Sequence, residues 1–291
     1  MDYQYVIYEK EGSIVRLTLN RPEKLNTFDF PRQGGLLDDF YAALAEAEDD
    51  DEVKVIVIKG AGRAFCAGHD LNTVGYVYGM GTGKPDERRA SQRARLNVDR
   101  NWIWNHHLRL FYCPKVTIAQ VHGYCIGEGL MLVEECDLAV AAEDAQIGHT
   151  EQRLGFAGSG VSTMLHLMLQ VGMKRARELL LTGRLLSGTE AADIGLVNKA
   201  VPADRLEEEV ETLAKAICLL PADGIAIGKA FTHLAYDSLG LTSSFIQGYI
   251  GHTLFTNLRW EPEEYSFFKE RRDKGTRLSF HGRDARYTGL V

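Results

Sequence analysis

Lys115 to Val140 read KVTIAQVHGYCIGEGLMLVEECDLAV, and the order of residue types in that stretch sets the architecture of the chain. Val116, Ile118, Ala119 and Val121 form a short apolar run of the kind that makes a strand covered on both faces. Glycines at 123, 127 and 129 interrupt it, and a helix opens directly after them through Leu130, Met131, Leu132 and Val133. Leu138 to Ala142 then returns to strand. Strand, small-residue turn, helix and strand in succession are the signature of an α/β layer.

The same pattern extends upstream. Leu36, Phe40, Ala43, Leu44 and Ala47 fall at helical spacing, and Val53 to Ile58 is a nearly all-apolar strand. A second small-residue turn follows, Arg63-Ala64-Phe65-Cys66-Ala67-Gly68-His69-Asp70-Leu71. Val6 to Leu19 predicts a hairpin about Glu11-Gly12-Ser13, ended by Pro22. Glycines 79, 81 and 83 with Lys84-Pro85 predict a loop over Gly75 to Arg95, leading into a helix from Val98 to Phe111. Beyond Gly155 the pattern is mostly helical, with a brief strand at Val197 to Val201 and a boundary near Ala203. The expected division is a core over 1–203 and a helical oligomerisation region over 204–291.

The 291 residues are 45% hydrophobic and 25% charged, a soluble globular balance, and the formal net charge of −7 argues against nucleic acid or an anionic membrane as partner. No apolar run of about 18 residues occurs, and MDYQYVIYEKEG lacks the blocks of a secretory signal, so a cytoplasmic chain is expected. Five cysteines without CxxC spacing suggest reduced thiols, with no disulfide framework and no metal site.

The chemistry sits in the two turns. Each offers backbone N–H groups with little side-chain cover, and the second feeds a helix N-terminus, where donors and dipole favour negative charge. Brought together, the two would make an oxyanion hole. Taken singly, each is an ordinary glycine turn, and neither matches a phosphate-loop or dinucleotide-binding pattern.

Taken together and in order, these pieces resemble the crotonase superfamily, the enoyl-CoA hydratase/isomerase family. The resemblance is carried by Leu19-Asn20-Arg21-Pro22 with Leu25-Asn26, Ala64 to Leu71, Pro114-Lys115-Val116, Val121-His122-Gly123-Tyr124, Cys136-Asp137-Leu138, Thr182-Gly183 and Ala191 to Val197. It implies an α/β fold of repeated ββα units wound into a spiral, with C-terminal helices that build a homotrimer or a dimer of trimers. The substrate it implies is an acyl-CoA thioester, with coenzyme A part of the substrate and no separate cofactor. The thioester oxygen would lie between two N–H groups that map onto Ala67 and Glu128. Ala64, Gly68, His69, Asp70, Leu71, Tyr124, Gly127 and Met131 would contact substrate, Lys24 and Leu25 would meet the CoA, and Phe268 with Arg271 would reach it from a neighbouring subunit.

Two departures bear on the reaction. Glu128 stands where the family has glycine, and the first of the two hydratase glutamates maps onto Met131, which carries no proton. The second maps onto Glu151, in Ile147-Gly148-His149-Thr150-Glu151. One carboxylate in the standard place suits an isomerase or a feruloyl-CoA hydratase-lyase. Hydration stays open through Glu128, three residues before Met131 on the same helical face. A dehalogenase, a C–C hydrolase and a catalytically weak acyl-CoA-binding protein are the other readings of the same oxyanion geometry. His149 could orient Glu151, and Trp102, Trp104, His106 and His107 could wall an acyl pocket, although an amphipathic helix with core tryptophans is the simpler explanation of them.

Overall fold

In the computed structural model, the residues described are 2–29, 34–74, 91–155, 164–255 and 260–290. β1 (Val6–Glu11) and β2 (Ile14–Leu19) form the expected antiparallel hairpin, with Gly12 supplying a φ of +56° at the turn. β2 then runs parallel to β3 (Val55–Gly60), β3 to β5 (Val116–Val121), β5 to β7 (Leu138–Ala142) and β7 to β10 (Lys199–Val201). The central strands are apolar along their length because helices and the second sheet cover both faces. That second sheet has four short strands, β4 (Ala64–Cys66), β6 (Tyr124–Ile126), β8 (Gln146–Gly148) and β9 (Leu186–Ser187), in that order.

β3, β5 and β7 each pass through a turn into one short strand of the smaller sheet, and the chain then leaves toward a helix. This is the spiral of ββα units that the sequence suggests. α1 (Leu36–Asp49) covers β1 and β2, and α4 (Glu128–Glu135) lies against β4 and β6. α2 (Gln92–Trp102) starts at Ser91, whose Oγ accepts the Ala94 N–H at 3.3 Å. The single helix expected from Val98 to Phe111 is broken by a π-helical turn at Ile103–His107 before α3 (Leu108–Phe111). That turn rotates the side chains after Trp102 relative to a regular helix. Residues 75–90 of the loop read in the sequence, and residues 159–163 at the start of the helix read after Gly155, lie outside the described residues.

The later helices are α5 (Met164–Val171), α6 (Met173–Thr182), α7 (Gly188–Asp193), α8 (Leu206–Cys218), α9 (Ala222–Ser238), α10 (Leu241–Phe255), α11 (Phe267–Lys274) and α12 (Thr276–Ala285). α8 buries Leu206, Val210 and Ala214 in the same core as the large sheet. The core therefore runs past residue 203, where the sequence suggested a boundary.

Leu25 and Asn26 take the left-handed conformation, at φ 54° and 55°. Leucine pays for that conformation and asparagine tolerates it better, so something must hold the pair. Asn26 does so: fully buried, it donates Nδ2–H to the carbonyls of Ala61 at 3.0 Å, Ala64 at 2.8 Å and Phe65 at 3.2 Å, and its Oδ1 accepts the Arg21 N–H at 2.9 Å. One amide thus ties the loop after β2 to the strand that opens the smaller sheet. Asn26→Ala is expected to lower the unfolding free energy by about 2–3 kcal/mol, because it leaves buried carbonyls without donors. Urea denaturation measures this, and an unchanged midpoint would count against the clamp.

Candidate active site

The two glycine turns meet backbone to backbone. A Cβ added to Gly129 would lie 2.2 Å from the Cys66 carbonyl oxygen, and one added to Gly68 would lie 2.7 Å from that of Ile126 and 3.3 Å from the Glu128 nitrogen. Side chains at either position would push the turns apart. Cys66 packs inside this junction, its Sγ–H donating to the Asn26 carbonyl at 3.1 Å. Burial pushes its thiol pKa up and so suppresses the thiolate, as expected of a packing residue.

Against the junction lies a cavity of about 620 Å³. Of the substrate-contacting residues expected from sequence, Lys24, Leu25, Ala67, Gly68, His69, Asp70, Leu71, Tyr124, Gly127, Met131 and Phe268 line it, and so do Glu128 and Glu151. Ala64 does not. It is buried in β4, where its carbonyl accepts from Asn26. Arg271 does not line it either, because its guanidinium Nη1 donates to the carbonyls of Leu71 at 2.9 Å and Val74 at 2.7 Å. Those bonds strap α11 onto its own chain, and Phe268 lines the cavity of that chain. Asp70 turns its carboxylate to Asn72, accepting the backbone N–H at 2.9 Å and Nδ2–H at 2.7 Å, and closes the turn.

The Ala67 N–H is a correction to the expected oxyanion pair. It donates to the Leu25 carbonyl at 3.0 Å, so it is committed inside the fold. Two residues on, His69 forms a parallel bridge with Phe28 in which Phe28 N–H donates to Gly68 and Asp70 N–H donates to Phe28. Alternation along an extended segment then turns the N–H of His69 itself away from Phe28. The Glu128 N–H belongs to the first residue of α4, which has no carbonyl one turn earlier in the helix to accept it.

Two of the carboxylates that line the cavity, Glu151 and Glu128, are each backed by a buried histidine and a second buried carboxylate from α4. On one side His149 Nε2 lies 3.0 Å from Glu134 and its Nδ1 lies 3.7 Å from Glu151. Burial opposes charge on this ring, but Glu134 and Glu151 overcome it and raise its pKa to about 10, so His149 is an imidazolium at neutral pH. The Glu151 carboxylate itself presses on Gly127, where an added Cβ would sit 2.7 Å from Oε1.

On the other side His107 Nδ1 lies 2.5 Å from Glu135, and its Nε2 lies 3.4 Å from Glu128. Here burial prevails. It holds the His107 pKa below its ordinary value and lifts Glu135 well above its own, so a protonated Glu135 donates to a neutral ring whose Nε2–H faces Glu128. Trp102 Nε1–H also donates to Glu128, at 3.2 Å. Burial raises the Glu128 pKa to about 7, with His107 opposing the shift.

The aromatic helix divides at its π-helical turn. Trp102 and His107 reach the cavity, whereas His106 stacks on Tyr41 at 4.6 Å and Trp104 is exposed. His69 tilts against Trp102 at 4.5 Å, and burial, with His252 and His107 nearby, lowers its pKa to about 3. Sequence reasoning missed Glu134, Glu135, Asp99 and His252. The first two carried a signal, as adjacent acids ending a helix otherwise apolar from Leu130 to Val133. Asp99 and His252 carried none, being brought together only by the packing of α2 on α10.

Residues 9–274 match the family described as enoyl-CoA hydratase/isomerase. A Thermus thermophilus protein named as an enoyl-CoA hydratase is 33% identical over 240 residues, 82% of this chain and 88% of its own length. The Arabidopsis thaliana peroxisomal Delta(3,5)-Delta(2,4)-dienoyl-CoA isomerase is 33% identical over 208 residues, 71% of this chain and 72% of its own. The crystal structure of an enoyl-CoA hydratase/isomerase from Xanthobacter autotrophicus Py2 superimposes with a TM-score of 0.80 at 31% identity, covering 98% of this chain and 99% of that one.

The charged histidine gives a stability prediction. Its folded pKa of about 10 stands above the ordinary 6.5, so its contribution is complete below pH 6.5 and is lost as pH rises toward 10. The melting temperature of the native chain is therefore expected to fall toward that of His149→Gln between those values. Parallel melting curves across that range would show that His149 is not charged.

Proposed function

This chain belongs to the enoyl-CoA hydratase/isomerase family and is an acyl-CoA enzyme of that type, and we propose that its reaction is the reversible addition of water across a 2-enoyl-CoA double bond. The observation that carries this reading is Glu128. Its carboxylate lines the same cavity as Glu151, at a pKa of about 7, and so supplies the second proton carrier that Met131 cannot.

In the proposed reaction the thioester oxygen lies between the N–H groups of His69 and Glu128. These donors are fixed before charge develops, each worth about 3–4 kcal/mol in the transition state. Glu151 takes a proton from water, the hydroxyl bonds to C3, and the electron pair of the double bond moves through C2 onto the thioester oxygen. Protonated Glu128 then delivers a proton to C2, and both carboxyls reset by exchange with solvent. Lys24, exposed at the cavity rim, and Phe268 would meet the coenzyme A portion. No cofactor beyond that portion is proposed.

A second reading has its own observation. Met131 forms the wall where a second proton carrier would otherwise stand. Glu151 acting alone would then move a proton between two carbons and isomerise a 3-enoyl-CoA.

We also propose a homotrimer or dimer of trimers. On α9, Ile227, Phe231 and Leu234 form an exposed apolar stripe at i, i+4 and i+7, a contiguous apolar face of the kind that suits contact with another copy of the chain. Among the described residues, no helix is long and apolar enough to cross a membrane.

Crotonyl-CoA in heavy water is expected to add water, with a rate that falls as pH rises through about 7. Glu151→Gln should lower kcat by about 10³-fold, and Glu128→Gln by about 10²-fold with loss of that inflection. Double-bond movement without water uptake, indifferent to Glu128→Gln, would replace hydration with isomerisation. Light scattering is expected to give three or six times the 32.5 kDa chain mass, and a smaller species for Phe231→Glu. A native monomer would remove the oligomer proposal.

A further inference from the structure

We infer that Arg153 and Arg283 form an anion seat in the cavity wall, and that it takes a carboxylate at the far end of the acyl group. On the acyl-CoA reading above, on which this rests, the substrate class is then a monothioester of a dicarboxylic acid. Arg153 follows Glu151 by two residues in the 3₁₀ turn Glu151–Leu154, and Arg283 lies on α12. Both line the cavity, and their side chains are only 13% and 8% exposed. Each guanidinium is held in place. Arg153 donates Nε–H to the Thr182 carbonyl at 3.2 Å, and its Cζ lies 4.4 Å over the Tyr287 ring. Its stem runs so close to Gly183 that a Cβ there would lie 3.1 Å from Cγ. Arg283 donates Nε–H and Nη2–H to the two oxygens of Asp284 at 2.8 and 3.0 Å, with its Cζ 4.8 Å over the Phe280 ring.

The charges there do not balance. Both guanidiniums meet the same acid, Arg153 Nη1 lying 3.8 Å from Asp284 Oδ1, and that carboxylate is half exposed. Two cations thus share one carboxylate, and among the described residues no acceptor meets Arg153 Nη2 or Arg283 Nη1. A guanidinium largely removed from water is costly unless an anion meets it, and its planar fork matches a carboxylate. A latch fastening α12 to the turn needs only Arg153 and Asp284, and does not explain why Arg283 stands on the cavity face of α12. That face is made by Thr276, Phe280 and Arg283 at i, i+4 and i+7. Glu151 works at C3 in the proposed reaction, so the acyl chain beyond C3 passes the turn that carries Arg153. Leu154, Leu185 and Phe280 also line the cavity and would hold its methylenes. A phosphate of the coenzyme is the other anion of matching chemistry, and the experiment separates the two.

The test uses the full chain and saturated thioesters, which cannot be hydrated, in titration calorimetry. Glutaryl-, adipyl- and pimelyl-CoA are each compared with the plain thioester of the same length, pentanoyl-, hexanoyl- and heptanoyl-CoA. At one length or more the carboxylated thioester is expected to bind about tenfold more tightly. Arg153→Met should bring that ratio near one while the plain thioester still binds, which also shows that the variant is folded. Arg283→Met should lower the ratio too, and Arg153→Lys, which keeps the charge without the fork, should retain part of it. A plain thioester that binds at least as tightly at every length, or a ratio undiminished in both methionine variants, would overturn the seat and leave the acyl-CoA reading intact. So would an Arg153→Met variant that weakens both thioesters alike but not their 3′-dephospho forms, since the arginines would then take a coenzyme phosphate. Failure of every thioester to bind the native chain would overturn both readings.

Discussion

The site depends on how closely two stretches of backbone approach. Gly68 and Gly129 let the turn after β3 and the start of α4 touch main chain to main chain, at distances no side chain allows. This contact decides which N–H groups can face one point. It is secured from behind by Asn26, which holds Leu25 in place, and Leu25 in turn takes up the Ala67 N–H. A turn that has already spent Ala67 in this way can give only a later N–H to a ligand, and the bridge to Phe28 directs that of His69.

On this junction the fold mounts two carboxylates with the same support and opposite electrical outcomes. Both lines run carboxylate, histidine, carboxylate, and both begin at adjacent residues of α4. Around His149 two carboxylates outweigh burial, so the ring is charged. Around His107 burial outweighs them, Glu135 keeps its proton and the ring stays neutral. Environments that separate the states of two otherwise similar groups are what acid–base division requires.

The α/β layering and the two glycine turns were legible in the sequence from periodicity and from glycines at fixed places, and the spiral of ββα units was legible through the family resemblance that those pieces carry in order. Gly68 and Gly127 were found in the turns themselves, and Met131 and Glu151 by the positions to which the resemblance maps them. The Ala67 assignment failed because a motif gives the turn but not the direction in which each N–H points, which is set by partners at Leu25 and Phe28 in a distant segment. Arg271 failed similarly: a basic helix end reads as a phosphate contact until the carbonyls of Leu71 and Val74 are seen to occupy it. Asp99 and His252 meet only through tertiary packing, and no local pattern records such a pair.

Glu128 illustrates why the state of a group matters as much as its presence. In the proposed reaction its backbone N–H holds the oxyanion while its own side chain lies in the same cavity. An ionised carboxylate there would repel the charge that the N–H stabilises, and the attraction of the helix N-terminus would be divided between two anions. Burial beneath Trp102 and a neutral His107 removes that conflict by favouring the protonated form up to about pH 7. The substitution that takes the place of a glycine is therefore tolerable only with the neutral line behind it, and the same line makes Glu128 a proton donor. Glu151, across the cavity, has a different neighbour: the imidazolium of His149, whose Nδ1 lies 3.7 Å from its carboxylate.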